Sequence, residues 1–141
     1  MRLLAVSLAL AVSLTQAHGG TVDITFRGLD SDDGVMLVAI FQGEKGFPTK
    51  TKHAVRRFKA PIRDKASTLS VELPAGSYAI SGVHDANGDG KLNLKWVVLP
   101  AEGLGASNNA EGNMGPPKYE DAAFEVPAEG TVAQVIDMVY L

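Results

Sequence analysis

The chain has 141 residues, 45% hydrophobic and 21% charged, with a formal net charge of −3. That length suits one domain. It contains no cysteine, which excludes disulfide scaffolds, thiol catalysis, cysteine-ligated zinc and a lipidated cysteine anchor. The acidic balance leaves no basic footprint for nucleic acid.

The first seventeen residues read as a secretory signal peptide. Arg2 supplies the positive start, residues 3–14 are apolar apart from serines, and Thr15-Gln16-Ala17 ends on a small residue. Cleavage after Ala17 would leave residues 18–141 as a single domain in the periplasm or outside the cell. The alternative is an uncleaved N-terminal anchor. The apolar run is too short to cross a bilayer, which takes about 20 residues. Charges and glycines interrupt every later apolar run, so no transmembrane span is expected after cleavage.

Beyond residue 18, polarity alternates with period two, the mark of half-buried strands. Residues 21–27 alternate around Val22, Ile24 and Phe26, and the cluster Asp30-Ser31-Asp32-Asp33-Gly34 makes a turn. Residues 35–42 read as a continuous apolar strand in the middle of a sheet. Residues 55–59 read as a strand or as an irregular basic stretch. Leu69, Val71 and Leu73 alternate, and Pro74-Ala75-Gly76 turns the chain. Residues 77–84, 94–99, 123–126 and 131–141 complete the strand candidates. No segment carries a capped helical stripe over three turns. About seven strands separated by turn signals predict an all-β fold, an antiparallel β-sandwich, with a closed barrel as the alternative. Residues 100–117 form one long Gly/Asn/Pro-rich loop, either a loose insertion or a loop folded over something.

The strongest chemical signal is His84-Asp85-Ala86-Asn87-Gly88-Asp89-Gly90-Lys91-Leu92-Asn93. Asp85, Asn87 and Asp89 alternate, Gly90 permits a sharp turn, Lys91 offers its main-chain carbonyl and Asn93 offers its amide oxygen. Calcium takes about 6–8 oxygens at about 2.3–2.6 Å from a chain that curls around it. The twelfth position of a helix-flanked calcium loop is a glutamate, and here it is Trp96, so an acid from elsewhere must complete the shell. Glu102 is the first candidate, with Glu120 and Asp121 behind it. The same residues also suit a plain tight hairpin, because Asn, Asp and Gly tolerate left-handed backbone.

Several blocks resemble the uncharacterised exported bacterial family called domain of unknown function 2141. They are Gly34-Val35-Met36-Leu37-Val38-Ala39-Ile40-Phe41 with Gly46-Phe47-Pro48, then Leu73-Pro74-Ala75-Gly76-Ser77-Tyr78-Ala79-Ile80 running into the Asp85–Asn93 turn. A third block is Pro100-Ala101-Glu102-Gly103-Leu104-Gly105-Ala106-Ser107-Asn108-Asn109 with Met114-Gly115-Pro116-Pro117 and Ala123-Phe124. The resemblance implies an exported bacterial protein with a prealbumin-like or immunoglobulin-like sandwich, and it implies no activity. Asn93 stands where that family commonly has aspartate, and Leu104 and Ala106 stand where larger aromatics are common. The family pattern couples the Asp/Asn turn to the long loop, so both are expected at one end of the sandwich, with Glu102, Ser107 and Asn108 in reach of the turn.

Other residues invite chemistry. His18 would become the first residue after cleavage, and its amine and imidazole can chelate copper, with His53 or His84 as partner. His84 next to Asp85 is a metal-ligand or acid–base pair on one reading and a satisfied structural histidine on another. No Gly-x-Ser-x-Gly elbow and no phosphate-binding glycine loop occurs. The basic residues from Lys50 to Lys65 either face an anionic lipid or polysaccharide, or form a solvated face. Trp96 and Tyr119 are core aromatics or a sugar-stacking pair. The function expected is a non-catalytic exported binding or envelope-associated module, of unknown ligand, partner and oligomeric state. Its calcium-binding turn would comprise Asp85, Asn87, Asp89, Lys91, Asn93 and Glu102, with no other cofactor. The alternative is a small secreted metalloenzyme using His84 and Asp85, or a terminal His18.

Overall fold

The computed structural model describes residues 18–88 and 102–140. The signal-peptide segment, the strand candidate at 94–99 and Trp96 lie outside the described residues. Among the described residues, eight strands form two sheets. They are β1 (Gly19–Arg27), β2 (Val35–Phe41), β3 (Arg56–Pro61), β4 (Ala66–Pro74), β5 (Gly76–Asp85), β6 (Leu104–Ala106), β7 (Phe124–Val126) and β8 (Thr131–Asp137). Their only α-helical companion among the described residues is the single turn α1 (Tyr119–Ala122). The chain is an all-β sandwich rather than a closed barrel, as the alternation predicts.

One sheet has the order β4-β1-β8, the other β3-β2-β5-β6. The edge of β5 is shared end to end: β7 pairs with Gly76 to Tyr78 and β6 with Ser81 to Val83. Pairing is antiparallel throughout except between β1 and β8, which run parallel from Thr21↔Thr131 to Arg27↔Asp137. Arg27 and Asp137 close that ladder with a side-chain ion pair. The Arg27 hydrogen bond holds the Asp137 carboxyl below its usual range.

Period-two burial decides which residues meet. In β1, Val22, Ile24 and Phe26 are buried, and in β5 so are Tyr78 and Ile80; they join Met36, Val38, Val71, Leu73 and Ile136 in one core between the sheets. β2 and β5 are buried on both faces. On the outer side of the second sheet, Ala79, Ala106 and Ala122 pack together under Phe47 and Tyr119. Phe47 meets Phe41 and Tyr119 edge-on at 5.4 and 5.9 Å. Tyr119 is therefore a packing aromatic whose hydroxyl donates to the Ser77 carbonyl (3.2 Å).

Of the two readings of the long loop, a loose insertion or a folded loop, its described residues follow the folded one. It contains β6 and a 3₁₀ turn at Ser107–Asn109. Gly and Ala carry no strand signal of their own, so β6 exists because β5 offers an unpaired edge. Leu104 also exchanges two backbone hydrogen bonds with Val139 (2.9 and 2.8 Å), which ties β6 to the segment after β8.

Between β3 and β4 the chain crosses from one sheet to the other on Asp64 and Lys65, both left-handed (φ 55° and 60°). Asp32, from the predicted turn cluster, accepts both of their backbone N–H groups.

The inner faces approach closely at glycines. A Cβ on Gly82 would collide with the edge of the Phe26 ring, and one on Gly105 would lie 2.7 Å from Ile136. Gly82→Ala is expected to lower unfolding free energy by about 1–3 kcal/mol through overpacking. Gly115→Ala meets open space and should stay within about 0.5 kcal/mol of the parent. Urea denaturation of both variants checks this.

Candidate functional site

Asp85 ends β5, opposite Val35 of β2. On its other side the ladder continues past β6: His84 N–H donates to the Gly103 carbonyl (2.9 Å). That register sets Glu102 beside Asp85. Asp85 is buried, Glu102 half-buried and Asn87 exposed. The turn begins as a backbone-closed bend, with Gly88 N–H on the Asp85 carbonyl (3.3 Å) and Gly88 in left-handed conformation (φ 68°). Gly34, also left-handed, packs against the Asp85 carbonyl where any Cβ would collide. The remaining predicted donors, Asp89, Lys91 and Asn93, lie outside the described residues. Among the described residues no group of three or more His, Asp or Glu side chains forms a metal cluster.

Of the acids considered for completing the shell, the fold brings only Glu102 to the turn. Glu120 and Asp121 sit on α1, whose Ala122 packs on Ala79. That is ~20 Å along β5 from Asp85 at ~3.3 Å per residue. Ser107 and Asn108 also point elsewhere, against the expectation that they reach the turn. The Ser107 hydroxyl, fully buried, donates to the Ala122 carbonyl (2.6 Å) and accepts the Ile80 N–H (2.9 Å). Asn108, left-handed at φ 58°, donates to the Asp121 and Ala123 carbonyls (3.3 and 2.8 Å). It also pairs with the Gln134 amide through its own N–H and side-chain carbonyl. Asn109 accepts the Asp137 N–H (2.9 Å). The Ser107-Asn108-Asn109 block is thus a clasp joining β5, α1 and β8, and it covers part of the free edge of β8.

His84 and Asp85 are adjacent on a strand and so face opposite ways. His84 is 1% exposed on the inner side. Its Nε2 lies 2.7 Å from the Asp33 carbonyl, which only accepts, so Nε2 carries the proton and donates. Its Nδ1 lies 2.7 Å from the Tyr140 hydroxyl. In the neutral ring Tyr140 donates to Nδ1, while its oxygen accepts the Asp30 N–H (3.2 Å). The Asp30 carboxylate stands 3.5 Å from Nδ1. This network ties the 28–34 turn, the end of β5 and the C-terminal segment together. Both imidazole nitrogens are committed to it, so His84 and Asp85 do not converge on one ligand. Elsewhere, His18 accepts the Ala75 N–H at its carbonyl (3.2 Å). His53 sits in a 3₁₀ turn (Thr51–His53).

Burial raises the phenol of Tyr78, with the Tyr119 charge adding to it, and burial likewise raises that of Tyr140. A raised folded value means that their contribution to stability is whole below about pH 10, the ordinary tyrosine value. It is lost as pH climbs through the folded value. The urea midpoint should hold up to about pH 10 and fall above it, and Tyr140→Phe should flatten that fall while lowering the neutral-pH midpoint. Ser107→Ala strands the buried Ile80 N–H, and the expected loss is about 1–3 kcal/mol with an unchanged far-ultraviolet dichroism spectrum.

No curated protein and no solved structure matches the chain. A family profile described as an uncharacterised protein conserved in bacteria, domain of unknown function 2141, matches residues 24–134. That span runs from within β1 to within β8 and takes in the Asp85 turn, Ser107-Asn108-Asn109 and His84, stopping short of Asp137 and Tyr140. The chain therefore belongs to this bacterial family, domain of unknown function 2141.

Proposed function

We propose that the protein is an exported, non-catalytic binding or envelope-associated module of the bacterial cell, and that its Asp85–Asn93 turn together with Glu102 holds a calcium ion. The observation that carries the ion site is the register that sets Glu102 beside Asp85. The turn itself lacks a twelfth-position carboxylate, and the neighbouring strand brings one to its mouth. Asp85, Asn87 and Asp89 would supply side-chain oxygens, Lys91 its main-chain carbonyl and Asn93 its amide oxygen. A site with few carboxylates binds in the ~10⁻⁴–10⁻³ M range of extracellular modules. Calcium at about ten times Kd would stabilise the fold by about 1.4 kcal/mol, enough to clip a turn and too little to drive a large rearrangement.

The non-catalytic reading draws support from His84. Its two nitrogens serve the fold on the inner side, so the histidine and the carboxylates of the turn do not form one acid–base site. Export rests on the pattern of residues 1–17.

Calorimetry and thermal unfolding of the exported protein test the ion site. Millimolar calcium should release or absorb heat and raise Tm by a few degrees, and magnesium should do less. Glu102→Gln and Asp89→Asn should each flatten the calcium response while leaving the calcium-free Tm nearly unchanged. Absence of heat and of any Tm shift at several millimolar calcium would overturn the site. Mass spectrometry of the exported protein should place its first residue at His18.

A further inference from the structure

Residues 45–63 hold seven of the chain's 13 Lys and Arg and none of its 16 Asp and Glu. The remainder of the chain is therefore strongly acidic. The fold divides these cations. Arg63, like Lys65 after it, belongs to the turn held by Asp32, whose carboxylate accepts the Asp64 and Lys65 N–H groups. The Arg56 guanidinium lies 5.1 Å from the centre of the Phe58 ring, and Phe58 packs against the core between the sheets. Arg57 and Lys59 alternate with them and stand on the outer face of the second sheet. There they pair with Ala39 and Leu37, about 7 Å apart along β3.

A second segment brings more positive charge to the same face. The loop of residues 43–53 lies across β5, where the Ser81 hydroxyl donates to the Pro48 carbonyl (3.1 Å) and Phe47 packs over Ala79. Thr51 of this loop stands beside Arg57 and Lys59, and Lys50 and Lys52 flank Thr51 in the chain. His53 packs back on Gly46, where a Cβ would lie 2.7 Å from its ring. Burial, and then the charges of Lys45, Lys52 and Lys50, hold the His53 imidazole below its ordinary range, so the three lysines gather around one ring. Lys45, Lys50, Lys52, Arg57 and Lys59 are all exposed. Among the described residues none of them joins an ion pair, and Glu44 is the one acid in the loop.

We propose that these five cations form a docking face for an anionic phospholipid bilayer, which meets the outer side of the second sheet at the 43–53 loop and β3. This names the partner of the envelope-associated module proposed above and rests on that reading. Two observations favour a bilayer over a soluble polyanion. Four of the five cations are lysines, hydrated point charges on flexible stems that can follow laterally mobile headgroups, whereas a fixed anion favours the arginine fork. The aromatic ring of the loop is also already engaged, since Phe47 meets Phe41 and Tyr119 edge-on and offers no platform on which a sugar or a base would stack. The charge asymmetry orients the molecule, because an anionic surface draws in this face and repels the acidic remainder. The face is separate from Asp85 and Glu102 and needs no calcium.

Cosedimentation of the exported protein with vesicles tests this, in chelator, so that calcium bridging at the Asp85 turn plays no part. Vesicles of equal parts phosphatidylglycerol and phosphatidylcholine should bind it, phosphatidylcholine alone should not, and added salt should release it. A cation close to an anionic surface contributes about fivefold to partition. The double variant Lys50→Gln, Lys52→Gln and the double variant Arg57→Gln, Lys59→Gln should therefore each weaken binding by about tenfold or more, at unchanged Tm. Arg63→Gln with Lys65→Gln removes the same net charge away from the face and should weaken binding far less. Equal binding to phosphatidylcholine, full binding by either face variant, or an equal loss in the Arg63 and Lys65 variant would overturn the proposal. So would no vesicle binding at all, or capture by heparin without it, the result if the face serves a soluble polyanion. Export is checked separately by the first residue of the mature chain, so either reading can fail alone.

Discussion

The close approach of the two sheets along a line of glycines is the constraint on which the rest of the structure depends. Gly82 of β5 and Gly105 of β6 stand opposite each other in the ladder. Gly103, next to β6, faces the Tyr140 ring. Phe26, Tyr140 and Ile136 occupy the space that side chains would otherwise fill. Burying such aromatic and aliphatic groups is the main favourable term in a domain that has no disulfide. The same glycines let β6 lie flat on β5. Once β6 is placed, Glu102 has no choice but to stand beside Asp85, so the composition of the candidate ion site is a by-product of core packing.

The polar devices of the molecule follow from where backbone groups lose water. β5 is covered on both faces, and its Ile80 N–H would be orphaned without the Ser107 hydroxyl. A buried backbone donor costs more unmet than met, which explains a fully buried serine in an apolar setting. Asn108 and Asn109 take up left-handed backbone that few other residues tolerate. They aim their amides at α1 and at the edge of β8, an exposed edge of the kind that invites unwanted pairing. His84 plays the corresponding part at the other end of β5. Its burial is satisfied at both nitrogens, and its neighbour Asp85 is left to face the turn.

Much of the fold could be read directly from the residues. β1, β2, β4, β5, β7 and β8 lie where alternation or continuous apolarity places them, because a period of two is visible in any strand with one wet face. β3 was readable only as a choice between strand and irregular basic stretch, since its outward positions are Arg57 and Lys59 and its charges mask the period. β6 was not readable at all. Leu104-Gly105-Ala106 has no β-branched residue, and it is a strand only because β5 presents an edge to it. The parallel pairing of β8 with β1 likewise has no local signal, for it joins the two ends of the domain.

The candidate site divides in the same way. The alternation of Asp85, Asn87 and Asp89 with glycine, and the need for an outside carboxylate, are properties of the chain itself. Its choice of Glu102 over Glu120 and Asp121 belongs to the register of β5 with the 103–106 segment. The separation of His84 from Asp85 also required the strand to be seen, since neighbours in sequence become opposite faces in a sheet. By itself the sequence determined the fold class, most strand positions and the chemistry available at the turn, because side-chain polarity and turn propensity act over a few residues. Only the tertiary structure decided which carboxylate reaches that turn, what Ser107 and Asn108 bind, and how the basic residues divide between two faces. Those outcomes depend on pairing between segments far apart in the chain, and no local preference encodes it.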